Sequence, residues 1–374
     1  MQTLDQELLQ RLANVSNTAC ISIYMPTPNV LPEKAANPLQ LKNLLKKGLQ
    51  YAEDRKLSAH QQLLQDLQPL IEDQTLWERG HQGLAIFASD TKTDILRLPV
   101  PVDEQICLAE SFCVKPLFWL LQQNRAYYLL GLSLDHITFY QGDRYQLEPV
   151  DIKGKVPESM TEALGNELTQ NHLHGAPADS AGMHGYMEKS QQEDIDMIRF
   201  FRQVDQQIIE HFPLPKHTPL LLAALPEHHT HFLGLSKNKN LSKVHLQVNP
   251  ESIDRSSLLQ KIDQIFDDRF NEKKKALLDR FHVANNELLA HTNLGDILRD
   301  CLDGKVDTIG IERQRIVPGS LQIDDRKIQS DPDSQTDVLN ELARLAYQQG
   351  GKIIVLEPRD MPSDTGAFTV NRFK

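Results

Sequence analysis

Apolar residues at the start of the chain follow a helical pattern and then a strand pattern. Leu8, Leu9 and Leu12 share one helical face, and the nearly uncharged run 19–25 is typical of a buried strand. Leucines recur at helical spacing over 41–49, which predicts an amphipathic helix. That helix directs three lysines outward, namely Lys42, Lys46 and Lys47.

Two further apolar runs predict the sheet of this first region. The run 83–89 contains no charge, and the run 95–102 ends in Pro99 and Pro101. Because proline cannot donate to a strand ladder, we expect the second run at a sheet edge. Pro116 suits the first turn of a following helix. The pattern predicts an α/β domain over residues 1–122.

The middle of the chain changes to short, closely spaced apolar runs. Three of them between residues 126 and 150 predict an antiparallel meander. Residues 155–192 then lose any period and gather glycine and proline, which predicts a long irregular loop. A helical stripe from Ile195, an apolar strand at 220–225 and a long amphipathic helix complete a predicted domain over residues 123–283.

The last ninety or so residues repeat a helix–glycine–strand pattern. Gly304 and the pair Gly350–Gly351 each follow a helical stripe and precede an apolar run, which is typical of helix C-caps. This predicts an α/β sandwich over residues 284–374. The polar segment 312–335 is expected to form a mobile surface excursion. The predicted fold class is therefore a multidomain α/β protein.

The composition of the chain restricts the classes of partner that we expect it to bind. The 374 residues include 51 acidic and 40 basic side chains, and the formal net charge is -11. Such a balance disfavours phosphate-backbone binding over the whole surface, so any RNA contact must be local. No glycine-rich phosphate loop or dinucleotide fingerprint occurs, and no cofactor is expected. The four cysteines lack C-x-x-C spacing and are expected to be buried, reduced thiols.

The sequence also indicates in which cellular compartment we expect the protein. The first turns carry Asp5 and Glu7 with no apolar run before a cleavage site, so a signal peptide is not expected. No run approaches the roughly eighteen uncharged apolar residues of a membrane helix. We expect a cytoplasmic protein whose partners are neither membranes nor DNA.

Several segments, in order, resemble the bacterial archaeo-eukaryotic release factor-like family. They are CISIYMPTPN, GLAIFAS, FCVKPLFWLL, YYLLGLSLDHITFYQGD, DMIRFFRQVD with PLLLAAL, DGKVDTIGI and LARLAYQQGGKIIVLEPRDMP. The resemblance implies an RNase H-like middle domain that presents a functional loop. It also implies a C-terminal domain like a ribosomal protein, which binds partner proteins or RNA. The ribosome or tRNA would then be the partner.

The chain departs from that family at its catalytic tripeptide. Release factors of this type use Gly-Gly-Gln to bring backbone and a water-orienting side chain to the ester. No Gly-Gly-Gln occurs here, and Gly350–Gly351 is followed by Lys352. The segment 172–189 lies at the matching place and contains no glutamine. Its candidate functional residues are His172, His174, Gly175, Gly182, His184, Gly185 and Tyr186.

Two histidine clusters and two groups of lysines give weaker indications of a functional site. His172, His174, Asp179 and His184 could bind a metal, but solvent-exposed histidines are the default and no metal site is predicted. A second cluster, formed by His228, His229 and His231, is expected to be a polar turn after a strand. The candidate RNA or anion contacts are Lys42, Lys46, Lys47, Lys273, Lys274 and Lys275, against the alternative of solvated helix faces.

Three functions stay open at this point. The first is a ribosome- or tRNA-associated factor that acts by binding and without Gly-Gly-Gln-dependent peptide release. The second is a hydrolase of peptidyl-tRNA or a nucleotide that uses segment 172–189. The third is a protein-interaction scaffold. No catalytic motif identifies an enzyme, and the acidic excess over residues 155–199 opposes entry of that segment into an RNA channel.

Overall fold

The computed structural model describes the chain except residues 1–3, 29–32, 79–80, 124–125, 145, 166–183, 216–217, 251 and 374. The protein is a mixed α/β protein with several sheets, as expected. It divides into two compact units. Unit 1 combines residues 1–123 with residues 273–374, and unit 2 comprises residues 124–272.

The N-terminal part of unit 1 contains a four-stranded antiparallel sheet of order β3-β2-β1-β4 with β3 at one edge, as the proline positions predict. Its elements are α1 (Gln6–Ala13), β1 (Ser16–Pro26), α2 (Asn37–Asp54), α3 (Ser58–Asp66), α4 (Gln74–Glu78), β2 (Gly83–Ser89), β3 (Thr93–Leu98), β4 (Gln105–Ser111) and α5 (Lys115–Gln123).

Both faces of this sheet are covered, which explains its apolar inner strands. Ile21 and Ile23 pack with leucines of α2 and α3 on one face. On the other face Tyr24 lies edge-on to Phe87, and Phe87 lies edge-on to Phe112. Every residue of β2 is buried, so its sequence is continuously apolar and does not alternate.

Unit 2 is built on a five-stranded sheet of order β7-β6-β5-β8-β9. Strands β5, β6 and β7 form the predicted antiparallel meander, and β5, β8 and β9 run parallel. The elements are β5 (Tyr127–Leu132), β6 (Ile137–Gly142), β7 (Leu147–Pro149), α6 (Met160–Leu164), α7 (His184–His211), β8 (Leu220–Ala224), α8 (Pro226–Leu235), β9 (Leu241–Gln247) and the start of α9 (Arg255–Asn286).

The prediction of an irregular loop over 155–192 is wrong at both ends. Helix α6 begins at Met160 with Ser159 as its N-cap, where the Ser159 hydroxyl accepts a hydrogen bond from the amide of Glu162. Helix α7 begins at His184, well before the apolar stripe that starts at Ile195. The first turns of α7 lack that stripe, so periodicity could not mark where the helix begins.

The C-terminal part of unit 1 is a second four-stranded sheet, of order β10-β15-β11-β14, together with the hairpin β12-β13. The hairpin occupies the segment expected to be a mobile surface excursion. The elements are β10 (Ala290–His291), α10 (Leu294–Leu302), β11 (Val306–Glu312), β12 (Gly319–Gln322), β13 (Lys327–Ser330), α11 (Val338–Gln348), β14 (Lys352–Leu356) and β15 (Ala367–Asn371).

A buried polar network joins the two parts of unit 1. The Asn340 side-chain oxygen on α11 accepts hydrogen bonds from the amides of Val114 (2.8 Å) and Lys115 (2.9 Å), and so caps the N-terminus of α5. The Asn340 amide nitrogen donates to the Phe112 carbonyl. The Ser111 hydroxyl donates to Glu341 Oε1, whose other oxygen binds Arg344. Residues far apart in sequence thus share one polar core.

This network bears on the predicted domains 1–122, 123–283 and 284–374. The three main sheets fall in these three segments, but the first and last segments pack into one compact unit. The boundary near residue 272 lies inside α9, about ten residues before the predicted one. The division into three domains therefore stays a prediction.

The remaining expectations concern cysteines and membranes. Cys20, Cys107, Cys113 and Cys301 are free and buried, as expected. Burial raises the pKa of Cys301 to about 12. Within the described residues, no helix combines the length and apolar character that crossing a bilayer requires.

Candidate nucleic-acid interface

A short loop between α8 and β9 is held in place by a buried carboxylate. Asp205 on α7 accepts hydrogen bonds from the Ser236 hydroxyl (2.5 Å) and from the Lys237 amide (2.7 Å). The Ser236 hydroxyl oxygen in turn accepts one from the Asn238 amide. Because Asp205 is 4% exposed, these bonds fix the loop backbone from inside the unit.

Asn240 fixes the other end of the loop. Its amide nitrogen donates to the carbonyls of Pro215 (3.0 Å) and Thr218 (2.8 Å), and its backbone carbonyl accepts from the Leu220 amide at the start of β8. The Asn240 backbone amide also bonds the Asn238 side chain. The loop therefore has a defined shape.

Three lysines project from this loop and the strand after it. Lys237, Lys239 and Lys243 are exposed, and none of them forms an ion pair with any residue that the structure describes. Residues 228–250 contain no Asp or Glu, although the chain carries a net charge of -11. We call Lys237, Lys239 and Lys243 the lysine loop. It offers three ammonium groups that could contact phosphates.

Sequence periodicity missed the lysine loop because its lysines alternate with serine and asparagine and follow no helical stripe. The signal that could have found it is the acid-free stretch around these lysines.

The predicted lysine face of α2 is less open. Lys42, Lys46 and Lys47 are all exposed, as the helical period requires. However, Lys47 Nζ lies 3.2 Å from Glu104 Oε1, and Gln40 donates to the other Glu104 oxygen. The Gln40 hydrogen bond and the Lys47 charge lower the pKa of Glu104 and keep it ionised. Part of the positive charge on this face is therefore compensated.

Lys273, Lys274 and Lys275 do not form one basic surface. Lys274 Nζ lies 2.8 Å from Asp360 Oδ2 and is mostly buried, whereas Lys273 and Lys275 are exposed. Consecutive helical residues point about 100° apart, so one member of the run turns toward the protein.

Most of the candidate functional residues of segment 172–189 lie outside the residues that the structure describes. His172, His174, Gly175 and Gly182 lie outside the described residues. The other three candidates, His184, Gly185 and Tyr186, form the first residues of α7. The part of the predicted irregular loop between residues 166 and 183 lies outside the described residues.

The second histidine cluster is helical, which corrects the prediction of a turn. His228, His229 and His231 lie in α8, which starts immediately after β8 with Pro226 in its first turn. The His229 and His245 ring centroids are 3.6 Å apart, and the His228 ring packs edge-on against Phe201. Burial and the proximity of His245 lower the pKa of His229 to about 4, so the ring is neutral near pH 7.

The His229–His245 pair is not part of a metal-binding group in the described residues. Among the residues that the structure describes, no three His, Cys, Asp or Glu side chains converge in a way that could hold a metal ion. Helix packing is the role that the contacts of His228 and His229 support.

The comparisons with known proteins agree with the family that the sequence resembles. Residues 126–305 match the model of bacterial archaeo-eukaryotic release factor family 3, which confirms that resemblance over this segment. The matched segment includes the lysine loop and Lys273, Lys274 and Lys275. No curated protein matches the chain significantly.

Several solved structures align with most of the chain at low similarity. The archaeal translation termination factor aRF1 is 15% identical, with 99% of each chain covered and a TM-score of 0.24. Dom34 of S. cerevisiae, a translation termination-like factor, is 11% identical, with 78% and 79% covered and a TM-score of 0.39. A model of ribosome-bound archaeal Pelota and ABCE1 is 10% identical, with 100% and 96% covered and a TM-score of 0.39.

Proposed function

We propose that this chain, whose residues 126–305 match bacterial archaeo-eukaryotic release factor family 3, is a translation-related factor that associates with the ribosome. The observation that carries the proposal is the lysine loop. It lies within the family-matched segment, has a backbone fixed by Asp205 and Asn240, and presents three ammonium groups with no acidic partner among the described residues.

Local charge reconciles an acidic protein with an RNA partner. Each phosphate that a lysine neutralises releases condensed counterions, and this entropy gain drives association. A few fixed lysines suffice for such a contact, whereas the net charge of -11 opposes binding elsewhere on the surface. The contact is therefore directional, and we expect ribosomal RNA or bound tRNA to meet unit 2 at the lysine loop.

The factor acts by binding and does not release peptides through a Gly-Gly-Gln loop, because its sequence contains no such tripeptide. Without backbone glycines and a side chain placed to orient water, the ester is not brought to an attack geometry, and misplacement by about 1 Å already costs on the order of a hundredfold in rate.

The architecture of unit 2 suits this assignment. An antiparallel meander followed by two strands parallel to its first strand supports an RNase H-like fold for the middle segment. The proposal places the protein in the cytoplasm, where ribosomes are, and we expect the C-terminal segment to contact a partner protein.

Co-sedimentation through a sucrose cushion tests the proposal. Wild-type protein should enter the ribosomal fraction at low salt, and Lys237→Gln/Lys239→Gln/Lys243→Gln should reduce its affinity by roughly tenfold or more. A matched variant, Lys42→Gln/Lys46→Gln/Lys47→Gln, changes the net charge equally and should retain most of the binding. Absence of the wild-type protein from ribosomal fractions, whether the ribosomes are empty or stalled, would overturn the proposal.

The same ribosomes can test whether the protein hydrolyses peptidyl-tRNA. Ribosomes programmed with peptidyl-tRNA should keep the ester intact after the protein binds. Rapid ester hydrolysis that depends on His184 would instead support the hydrolase alternative.

A further inference from the structure

Unit 1 contains a cavity of about 310 Å³ between the start of α5 and the segment after β11. Its apolar wall includes Tyr24, Val102, Pro116, Trp119 and Val355. The volume is at the lower end of the range for ligand pockets and suits one or two side chains of a peptide.

One side of the cavity is a preformed cation–π stack. The guanidinium carbon of Arg313 lies 3.7 Å from the centroid of a Trp119 ring, and Arg313 Nη1 lies 3.0 Å from Glu357 Oε1. The stack and the ion pair hold Arg313 in place. The indole is partly exposed, so contact with an occupant would change its environment.

The charges around the cavity do not cancel. Lys115 also lines the cavity, but its ammonium binds the buried carboxylate of Asp337, just as Arg313 binds Glu357. Neither of those carboxylates lines the cavity. Both cationic groups of the lining are therefore compensated from outside it.

Two acidic residues at the cavity mouth remain. The Glu104 carboxylate accepts a hydrogen bond from the Gln40 amide and forms an ion pair with the Lys47 ammonium. Asp103 is exposed and has no hydrogen bond or ion pair with any residue in the described part of the chain. The net charge presented to an occupant is therefore negative, with an apolar wall beside it. Exposed Ile316, also in the lining, extends the apolar surface toward solvent.

We propose that this cavity binds a lysine or arginine side chain from a basic, extended segment of a partner protein. The aliphatic stem would pack on Val102 and Pro116 and against the Trp119 indole, while the cationic head contacts Asp103 and Glu104. Charge complementarity selects this occupant over RNA, because phosphates would meet the Asp103 and Glu104 carboxylates. The proposal does not depend on ribosome association.

Trp119 provides a direct reporter. The sequence contains two tryptophans, Trp77 and Trp119, so Trp77→Phe leaves only the cavity indole to emit. In this background, titration with the peptide acetyl-Gly-Lys-Leu-Lys-Gly-amide should produce a saturable change in emission. The analogue with both lysines replaced by norleucine should produce none.

Two variants locate the contact. Asp103→Asn/Glu104→Gln should weaken binding by roughly tenfold, because each partly exposed charge pair contributes modestly. Asp54→Asn/Glu53→Gln, which removes the same charge from the exposed end of α2, should leave the affinity unchanged. Equal weakening by both variants would overturn the proposal, since it would indicate nonspecific attraction.

Two further outcomes would also contradict the proposal. One is a flat wild-type titration into the millimolar range. The other is an equal affinity for spermidine, which would show a general polyamine site and not a peptide site. Unchanged melting of the variants followed by circular dichroism verifies that they fold.

Discussion

Both units bury polar side chains, but unit 1 buries an ion pair that joins distant segments, whereas unit 2 buries two histidines that each leave one ring nitrogen without a partner in the described residues. In unit 1 the Asp337 carboxylate receives the Lys115 ammonium and the amides of Val317 and Leu339. In unit 2, His228 Nδ1 and His229 Nε2 are buried without a hydrogen-bond partner in the described residues. The polar core of unit 1 is therefore a structural joint, whereas that of unit 2 depends on keeping its histidines neutral.

This difference follows from which chain segments each unit brings together. Unit 1 assembles from residues at opposite ends of the chain, and directional hydrogen bonds such as those of Asn340 fix how they meet. Unit 2 is continuous in sequence, and apolar packing of α7 and α8 on its sheet forms much of its core, while the Asp205 hydrogen bonds fix the loop after α8. Its histidines fill space between helices and sheet, and they tolerate this only while uncharged.

The largest effect is expected from breaking the unit 1 joint. Asp337→Ala would leave the Lys115 ammonium buried and uncompensated and would also remove the N-cap of α11. Loss of one partner of a buried ion pair costs about 3–5 kcal/mol. Both tryptophans lie in unit 1, so urea unfolding followed by tryptophan fluorescence reports this unit.

A double variant distinguishes the cost of an uncompensated buried charge from the cost of lost packing. Lys115→Met/Asp337→Leu removes both charges and should recover at least half of the free energy that Asp337→Ala loses. If Asp337→Ala alone changed the free energy of unfolding by less than about 1 kcal/mol, the joint would not have the importance assigned to it.

An intermediate effect is expected from acid on unit 2. The pKa of His229 is lowered from about 6.5 to about 4, so the unfolded chain binds a proton that the folded protein rejects between these values. The stability contributed by neutral His229 is complete above about pH 6.5 and is lost as pH falls toward 4, at up to about 1.4 kcal/mol per pH unit. The lowered pKa of His228, caused mainly by burial, acts in the same direction.

Hydrogen exchange resolves the two units. Corrected for intrinsic rates, amides of α8 (226–235) should lose protection between pH 7 and pH 5, while those of α11 (338–348) should change less. His229→Phe removes the titrating group and should reduce the pH dependence of α8. Equal sensitivity of α8 and α11 would remove the contrast between the units.

The smallest effect is expected at the surface of unit 1. Arg55 forms a two-pronged ion pair with Asp331, at 2.8 and 3.2 Å, but both side chains are more than a third exposed. Exposed pairs contribute little to stability, because solvent and salt screen the two charges. Arg55→Ala should therefore shift the urea midpoint only slightly, and less at high salt. A loss comparable to that of Asp337→Ala would show that exposure is a poor guide here.

Much of the fold could be predicted from periodicity, because strands such as β2 and helices such as α5 have clear apolar patterns and turn residues. Among the elements that periodicity did not predict are β9 and β15. Strand β9 is mostly half-buried, with lysine and histidine among its residues. Strand β15 lies inside its sheet between β10 and β11, a position that only long-range pairing defines.

The candidate sites were harder to predict for a related reason. The exposure of Lys42, Lys46 and Lys47 follows from the helical period, but the Glu104 that compensates Lys47 comes from a distant segment. Likewise, nothing near Lys237 in the sequence indicates that Asp205 holds its backbone. Tertiary contacts decide which lysines stay unpaired.

The most direct test of the central claim is the salt dependence of ribosome affinity. Log affinity should fall linearly with log salt concentration, and the Lys237→Gln/Lys239→Gln/Lys243→Gln variant should lower that slope by roughly two to three, about 0.7–0.9 per phosphate contact. The matched α2 variant should leave the slope nearly unchanged. A slope that is the same in the lysine-loop variant and the wild type would contradict the account, because it would show that the ribosome meets the protein elsewhere.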